Sequence, residues 1–123
     1  MKKTLKNAQM AEMLLDLQPL LSQRNKVGYI AARNYRILSE CLTEYLAMRR
    51  RLIEENGDKF TDENGFTNHQ IKVGTPAFTV FSEAMAPLNA IEQEVDLLTI
   101  KYDEIIGIMS GEEILRLSWM LED

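Results

Sequence analysis

The chain has 123 residues, 46% of them hydrophobic and 27% charged, with 14 Lys+Arg against 19 Asp+Glu for a formal charge of −5. This balance describes one soluble folded domain over 1–123; it excludes a disordered polyelectrolyte, and no run nears the roughly 20 apolar residues that a bilayer-spanning helix needs. One cysteine, Cys41, excludes an intramolecular disulfide, and Met-Lys-Lys-Thr-Leu-Lys-Asn lacks a signal-peptide pattern, so the cytoplasm is the expected location.

In chain order, the segment 1–22 is expected to be helical. Asn7 is a plausible N-cap, Met10, Met13, Leu14 and Leu17 share helical spacing, and Pro19 ends the helix because the residue before a proline avoids helical angles. Leu20 and Leu21 begin a connector. The strongest element is a long helix over 27–56, with Val27, Ala31, Leu38, Cys41, Tyr45, Met48 and Leu52 on one seam and Asn34 as its single polar member. Asn56-Gly57 stops it, Gly supplying a left-handed terminus.

Residues 58–73 read as a hairpin or loop around Asp62-Glu63-Asn64-Gly65, followed by a strand over 70–73. Thr75-Pro76 opens a further helix carrying Phe78, Phe81, Met85, Leu88 and Ile91, which Pro87 is placed to kink. Residues 95–100 fit either a second strand beside 70–73 or a continuing helix. Ser110-Gly-Glu-Glu113 has capping-box spacing, with Ile114, Leu117, Trp119 and Leu121 in a last helix within the helical part 76–123. The expected fold is α+β and predominantly α: a long central helix packed with two or three further helices and a small antiparallel sheet. Trp119, Phe78, Phe81, Leu38, Leu42, Tyr45 and Ile114 are its candidate core, and Met10, Met13, Met48, Met85 and Met120 are expected to fill it.

Chemical motifs are sparse. One Cys and one His, His69, cannot supply a zinc site. Asp58 to Gly65 fails the calcium-loop register, since its third residue is Phe60 and its sixth Glu63. Asp62 with Gln70-Ile71-Lys72 only loosely resembles a magnesium nuclease spacing. There is no phosphate-binding glycine loop and no nucleophile elbow, so no enzyme activity, metal or other cofactor is expected.

Charge is unevenly spread. Met1 to Arg51 carries ten basic and four acidic residues, a balance of +6; Leu52 onward carries four and fifteen, a balance of −11. Two candidate surfaces follow. The acidic one comprises Glu54, Glu55, Asp58, Asp62, Glu63, Glu92 and Asp96, suited to a basic groove on a protein partner. The basic one comprises Arg33, Arg36, Arg49, Arg50 and Arg51, with Lys2, Lys3 and Lys6, suited to nucleic-acid phosphates. Its bland explanation is helix chemistry: Arg50 with Glu54 and Arg51 with Glu55 have i, i+4 spacing near a helix C-terminus.

Ala31-Ala32-Arg33-Asn34-Tyr35, Glu44-Tyr45, the stretch from Arg51 to Gly57, the Asp-Glu-Asn-Gly loop, Glu94-Val95-Asp96-Leu97, Leu115 and the end from Trp119 to Asp123 form a layout. This layout resembles small phage and prophage proteins of Gram-positive bacteria, a family with no assigned activity. The resemblance implies a viral accessory role and carries over no functional residue. Three functions are therefore expected in order: an accessory protein that binds a protein partner, such as an inhibitor of a host nuclease or defence complex acting in an anti-CRISPR-like way; a morphogenesis or virion protein that self-assembles through its long helix; and a nucleic-acid binder using the basic half. Nucleic acid is the least expected partner, and no membrane contact is expected.

Overall fold

Lys2–Lys6 alternates outward polar side chains with half-covered ones, the period-two signature of a strand, and forms β1 in a computed structural model that describes Met1–Asp123. It pairs antiparallel with the strand Glu92–Asp96, setting Lys2 opposite Asp96, Thr4 opposite Glu94 and Lys6 opposite Glu92. Opposite charges thus face each other along the exposed side, while Val95 is buried on the other. The N-terminal segment therefore begins as a strand rather than a helix. Lys-Lys-Thr-Leu-Lys has little intrinsic strand preference and acquires it from its partner.

Contacts divide the chain into two compact units. Unit 1 combines Met1–Leu42 with Glu92–Asp123, and unit 2 is the intervening Thr43–Ile91. The 1–123 domain expected from sequence is thus internally partitioned, with its first unit built from both ends of the chain.

In unit 1, α1 (Asn7–Leu17) buries Met10, Met13, Leu14 and Leu17 and gives way to a 3-10 turn, Gln18–Leu20, that contains Pro19. Lys6, not Asn7, is the N-cap residue: the Lys6 N–H donates to Gln9 Oε1 at 2.9 Å, while Asn7 is buried and its Oδ1 accepts from Gln93 Nε2 at 2.7 Å. Asn25 Oδ1 caps α2 (Lys26–Cys41) by accepting from the Gly28 N–H at 3.1 Å. Asn34, the single polar residue on the apolar face of α2, is fully buried. Its carboxamide accepts from the Leu98 N–H at 2.8 Å and donates to the Leu98 carbonyl at 3.0 Å, clasping the segment that follows Glu92–Asp96.

The continuous helix expected over 27–56 is interrupted. α2 ends at Cys41, Leu42 leaves helical angles (φ −96°, ψ 4°), and α3 spans Thr43–Asn56. The Cys41 carbonyl accepts from Gln93 Nε2 at 3.0 Å, a side-chain claim on a backbone group at the point where the helix breaks, and Leu42 is fully buried.

Unit 2 contains, after α3, strands β2 (Asp58–Thr61) and β3 (Thr67–Gln70) and helix α4 (Pro76–Asn89). Back in unit 1, Glu92–Asp96 is β4, and β5 (Ile100–Lys101) pairs parallel with β6 (Leu121–Glu122). Residues 95–100 thus contribute to two strands, and β4 pairs with β1 rather than with 70–73. The capping box at Ser110 forms as expected: Ser110 Oγ accepts from the Glu113 N–H and Glu113 Oε1 from the Ser110 N–H, starting α5 (Gly111–Arg116). That helix stops before Leu117; a 3-10 turn, Ser118–Met120, carries Trp119, which is half-buried like Ile114 rather than in the core.

The fold is α+β and mostly helical, with five α-helices and 57% of residues helical. In place of the expected small sheet there are three separate two-stranded pairings, one of them parallel.

Two predictions follow from unit 1. Asn34→Ala strands the Leu98 N–H and carbonyl, each worth roughly 1–3 kcal/mol when buried without a partner, so urea unfolding should show a loss of about 2–4 kcal/mol. Lys26 Nζ lies 2.6 Å from Glu104 Oε1, and this hydrogen bond is the main cause that holds the Glu104 carboxyl below its ordinary value. A lowered carboxylate stabilises the fold above its unfolded value and loses that contribution as pH falls through the folded one. Lys26→Met should therefore lower the urea midpoint at neutral pH and leave it nearly unchanged well below the ordinary Glu value of 4.5.

Candidate functional site

Thr43–Ile91 is built around the α3–α4 pair and the β2–β3 hairpin. Asp62 makes the turn: its Oδ1 accepts from the N–H groups of Asn64 and Phe66 at 2.9 and 3.0 Å, and Gly65 takes a φ of +83°. Thr61 then faces Thr67 and Asp58 faces Gln70, so the second strand lies over 67–70 and not 70–73. The turn geometry sets that register, which composition does not reveal.

Gly57 follows α3 as expected, but for a different reason. Its φ is not positive; instead, an added Cβ would stand 2.6 Å from the Ile53 carbonyl oxygen and 2.8 Å from that of Gln70. The residue is small because helix and hairpin backbones approach there. Thr75 Oγ1 caps α4 by accepting from the Phe78 N–H at 3.2 Å, with Pro76 in its first turn, and Tyr45 Oη donates to Asn89 Oδ1 at 2.5 Å, joining α3 to α4. Pro87 sits in the last turn of α4, where it removes one late helical donor.

The packing of this unit is thin. Of the buried apolar residues of the whole chain, Tyr45 and Met85 belong to it and eighteen belong to unit 1. Phe78 and Phe81, expected in the core, are half-buried in a tilted ring contact, and Met48 is exposed rather than a core filler. Leu46, Met48, Phe60, Phe66, Val73, Val80 and Ile91 are all exposed, with Phe66 at 67% and Val73 at 81%. Unit 2 thus presents seven large apolar side chains to solvent while burying two.

Folding also rearranges the charge. Unit 2 carries five basic and seven acidic residues, a balance of −2, and unit 1 carries nine and twelve, a balance of −3. The opposition between the sequence halves has disappeared. Of the acidic candidates, Glu54 and Glu55 lie in the last turn of α3, Asp58 on β2, and Asp62 and Glu63 in the hairpin turn, with Asp62 committed to its hydrogen bonds. Glu92 and Asp96 belong to unit 1 and face Lys6 and Lys2. The Met1 ammonium, 2.8 Å away, is the chief cause of the lowered Asp96 carboxyl value.

The basic candidates are likewise divided. Arg33 and Arg36 are on α2 in unit 1, Arg33 donating to Tyr29 Oη at 3.0 Å with its guanidinium 5.9 Å from that ring. Arg49, Arg50 and Arg51 are on α3 in unit 2. The expected Arg50–Glu54 and Arg51–Glu55 pairs do not close; the i, i+4 ion pair that forms is Arg116–Glu112 at 3.6 Å. Lys2 and Lys6 are strand residues opposite acids. Cys41 is half-buried at the end of α2 in unit 1 and His69 is on β3 in unit 2, and no group of three or more His, Cys, Asp or Glu side chains is arranged to hold a metal ion.

One constellation escaped the sequence reading. Leu46, Arg49, Arg50, Ile53 and Glu54 of α3 and Thr67, Asn68 and His69 of β3 line a groove of about 480 Å³. A strand at 70–73, as the residue pattern suggests, does not contain His69 and does not join these residues. Gly57 is the sequence signal that could have joined them, because it permits the close return of the hairpin. Compared with family models, curated proteins and solved structures, the chain has no significant match.

Gly57→Ala should loosen this unit selectively. Hydrogen exchange of the β2–β3 amides is expected to accelerate at least about tenfold, equivalent to about 1.4 kcal/mol, while the β1–β4 amides keep their protection. Equal acceleration in both would show that the two units open together.

Proposed function

We propose that the chain is a non-enzymatic protein that acts by binding another protein through Thr43–Ile91, in the phage or prophage accessory role that its resemblance implies. The observation that carries this reading is the contrast in burial: a unit that covers Tyr45 and Met85 but exposes Phe60, Phe66, Val73 and four other large apolar side chains gains stability when a partner covers them. Glu54, Glu55, Asp58 and Glu63 stand exposed on the same unit, so the matching partner surface combines apolar with basic groups. A phosphate-binding groove of a host nuclease or defence complex supplies the basic part of that surface, and an inhibitor would occupy it.

The test is capture of a partner by tagged protein at low and high salt, followed by titration of the recovered protein with two variants. Phe60→Ser with Phe66→Ser is expected to weaken the complex at least tenfold, about 1.4 kcal/mol or more, because aromatic anchors dominate interface energies. Glu54→Gln, Glu55→Gln, Asp58→Asn and Glu63→Gln together should reduce its salt dependence. A partner bound equally well by both variants would remove this surface from the function, and a concentration-dependent oligomer sensitive at Leu46 or Met48 would replace the heterologous partner with self-assembly.

A further inference from the structure

The groove between α3 and β3 has a chemistry that protein binding through the exposed apolar residues does not use. Arg49 and Arg50 line it from one side and Thr67, Asn68 and His69 from the other; successive strand side chains alternate faces, so Thr67 and His69 share one face of β3, and two arginines, a threonine and a histidine border one space of about 480 Å³. Neither arginine is held in an ion pair, although Glu54 lines the same groove. We infer that this groove binds a phosphomonoester carried by a small hydroxylated molecule.

The donor set selects the ligand. Each guanidinium presents a planar fork of five N–H donors, and with the hydroxyl and imidazole the groove offers more donors than the two oxygens of a carboxylate accept; the three terminal oxygens and double charge of a phosphomonoester match them better. The volume lies within the roughly 300–1,000 Å³ typical of small-molecule sites. Leu46 and Ile53 supply an apolar wall, and Glu54 supplies an acceptor for a ligand hydroxyl. A long nucleic acid fits less well, because the unit is net negative and Glu54 lies within the groove itself.

Calorimetric titration of the full chain distinguishes the sources of phosphate. The probes are inorganic phosphate, a nucleoside 5′-monophosphate, the same nucleoside without phosphate, and a single-stranded oligonucleotide with a 5′-phosphate. Saturable one-to-one binding of the monophosphate is expected, with none for the free nucleoside and at least about tenfold weaker binding in Arg49→Gln/Arg50→Gln. Glu54→Gln should weaken the monophosphate while sparing or strengthening inorganic phosphate. If the double arginine variant does not fold, His69→Gln with a thermal-unfolding control takes its place. No saturable binding of either phosphate probe, or binding that both groove variants leave intact, overturns the assignment. Oligonucleotide binding more than tenfold tighter than that of the monophosphate overturns the small-molecule part and places a strand end in the groove. Leu46 and Glu54 belong to both surfaces, so the Phe60→Ser/Phe66→Ser variant, whose residues do not line this space, is the one that separates the two readings.

Discussion

The antiparallel pairing of Lys2–Lys6 with Glu92–Asp96 is the constraint on which unit 1 depends. It joins segments from opposite ends of the chain, and closing so long a loop carries an entropic cost that only a set of simultaneous contacts offsets. Those contacts are concentrated on β4 and the residues after it. Gln93 donates to both Asn7 and the Cys41 carbonyl, Leu97 exchanges hydrogen bonds with Met1, and Asn34 clasps both backbone groups of Leu98. α1, α2 and the C-terminal segment gain their common core from this closure, in which Leu17, Leu20, Val27, Leu38, Leu97, Ile105, Leu117 and Met120 are all fully or almost fully buried.

The same closure makes Thr43–Ile91 an insertion, and its physics differs from that of unit 1. Its backbone is well specified by local devices: the Thr75 cap, the Asp62 turn and the close approach at Gly57. Its side-chain burial is sparse, with much of its apolar surface left in water. Strong local specification with little core is the feature on which the proposed partner surface rests, because rigid turns reduce the ordering cost of association. Charge alone is a poor guide here, since the +6 and −11 halves of the sequence become units of −3 and −2 once β1 pairs with β4.

The sequence was informative wherever a feature was local. The capping box at Ser110, the Thr75-Pro76 helix start, the stop before Pro19, the Asp62–Gly65 turn and the buried face of α2 through Val27, Ala31 and Leu38 all follow from short-range preferences. It misled wherever a distant residue decided the outcome. The seam over 27–56 is continuous in sequence, yet Gln93 takes up the Cys41 carbonyl and the helix breaks beside it at Leu42. The α3–β3 groove has a related cause: the turn sets the strand over 67–70 rather than 70–73, and only that placement brings His69 into β3.

The amino-acid sequence by itself therefore determined the fold class, the Thr75 and Ser110 caps, the Asp62–Gly65 turn, the lack of a membrane-spanning helix and most of the core helical faces, because each depends chiefly on neighbours within a few turns of chain. Tertiary structure alone decided that Lys2–Lys6 is a strand, that Asn34 is a clasp rather than a flaw in an apolar seam, that the chain forms two units, and that Arg49, Arg50 and His69 border one groove. Each of these rests on hydrogen bonds or packing between residues far apart in sequence, for which local periodicity carries no signal.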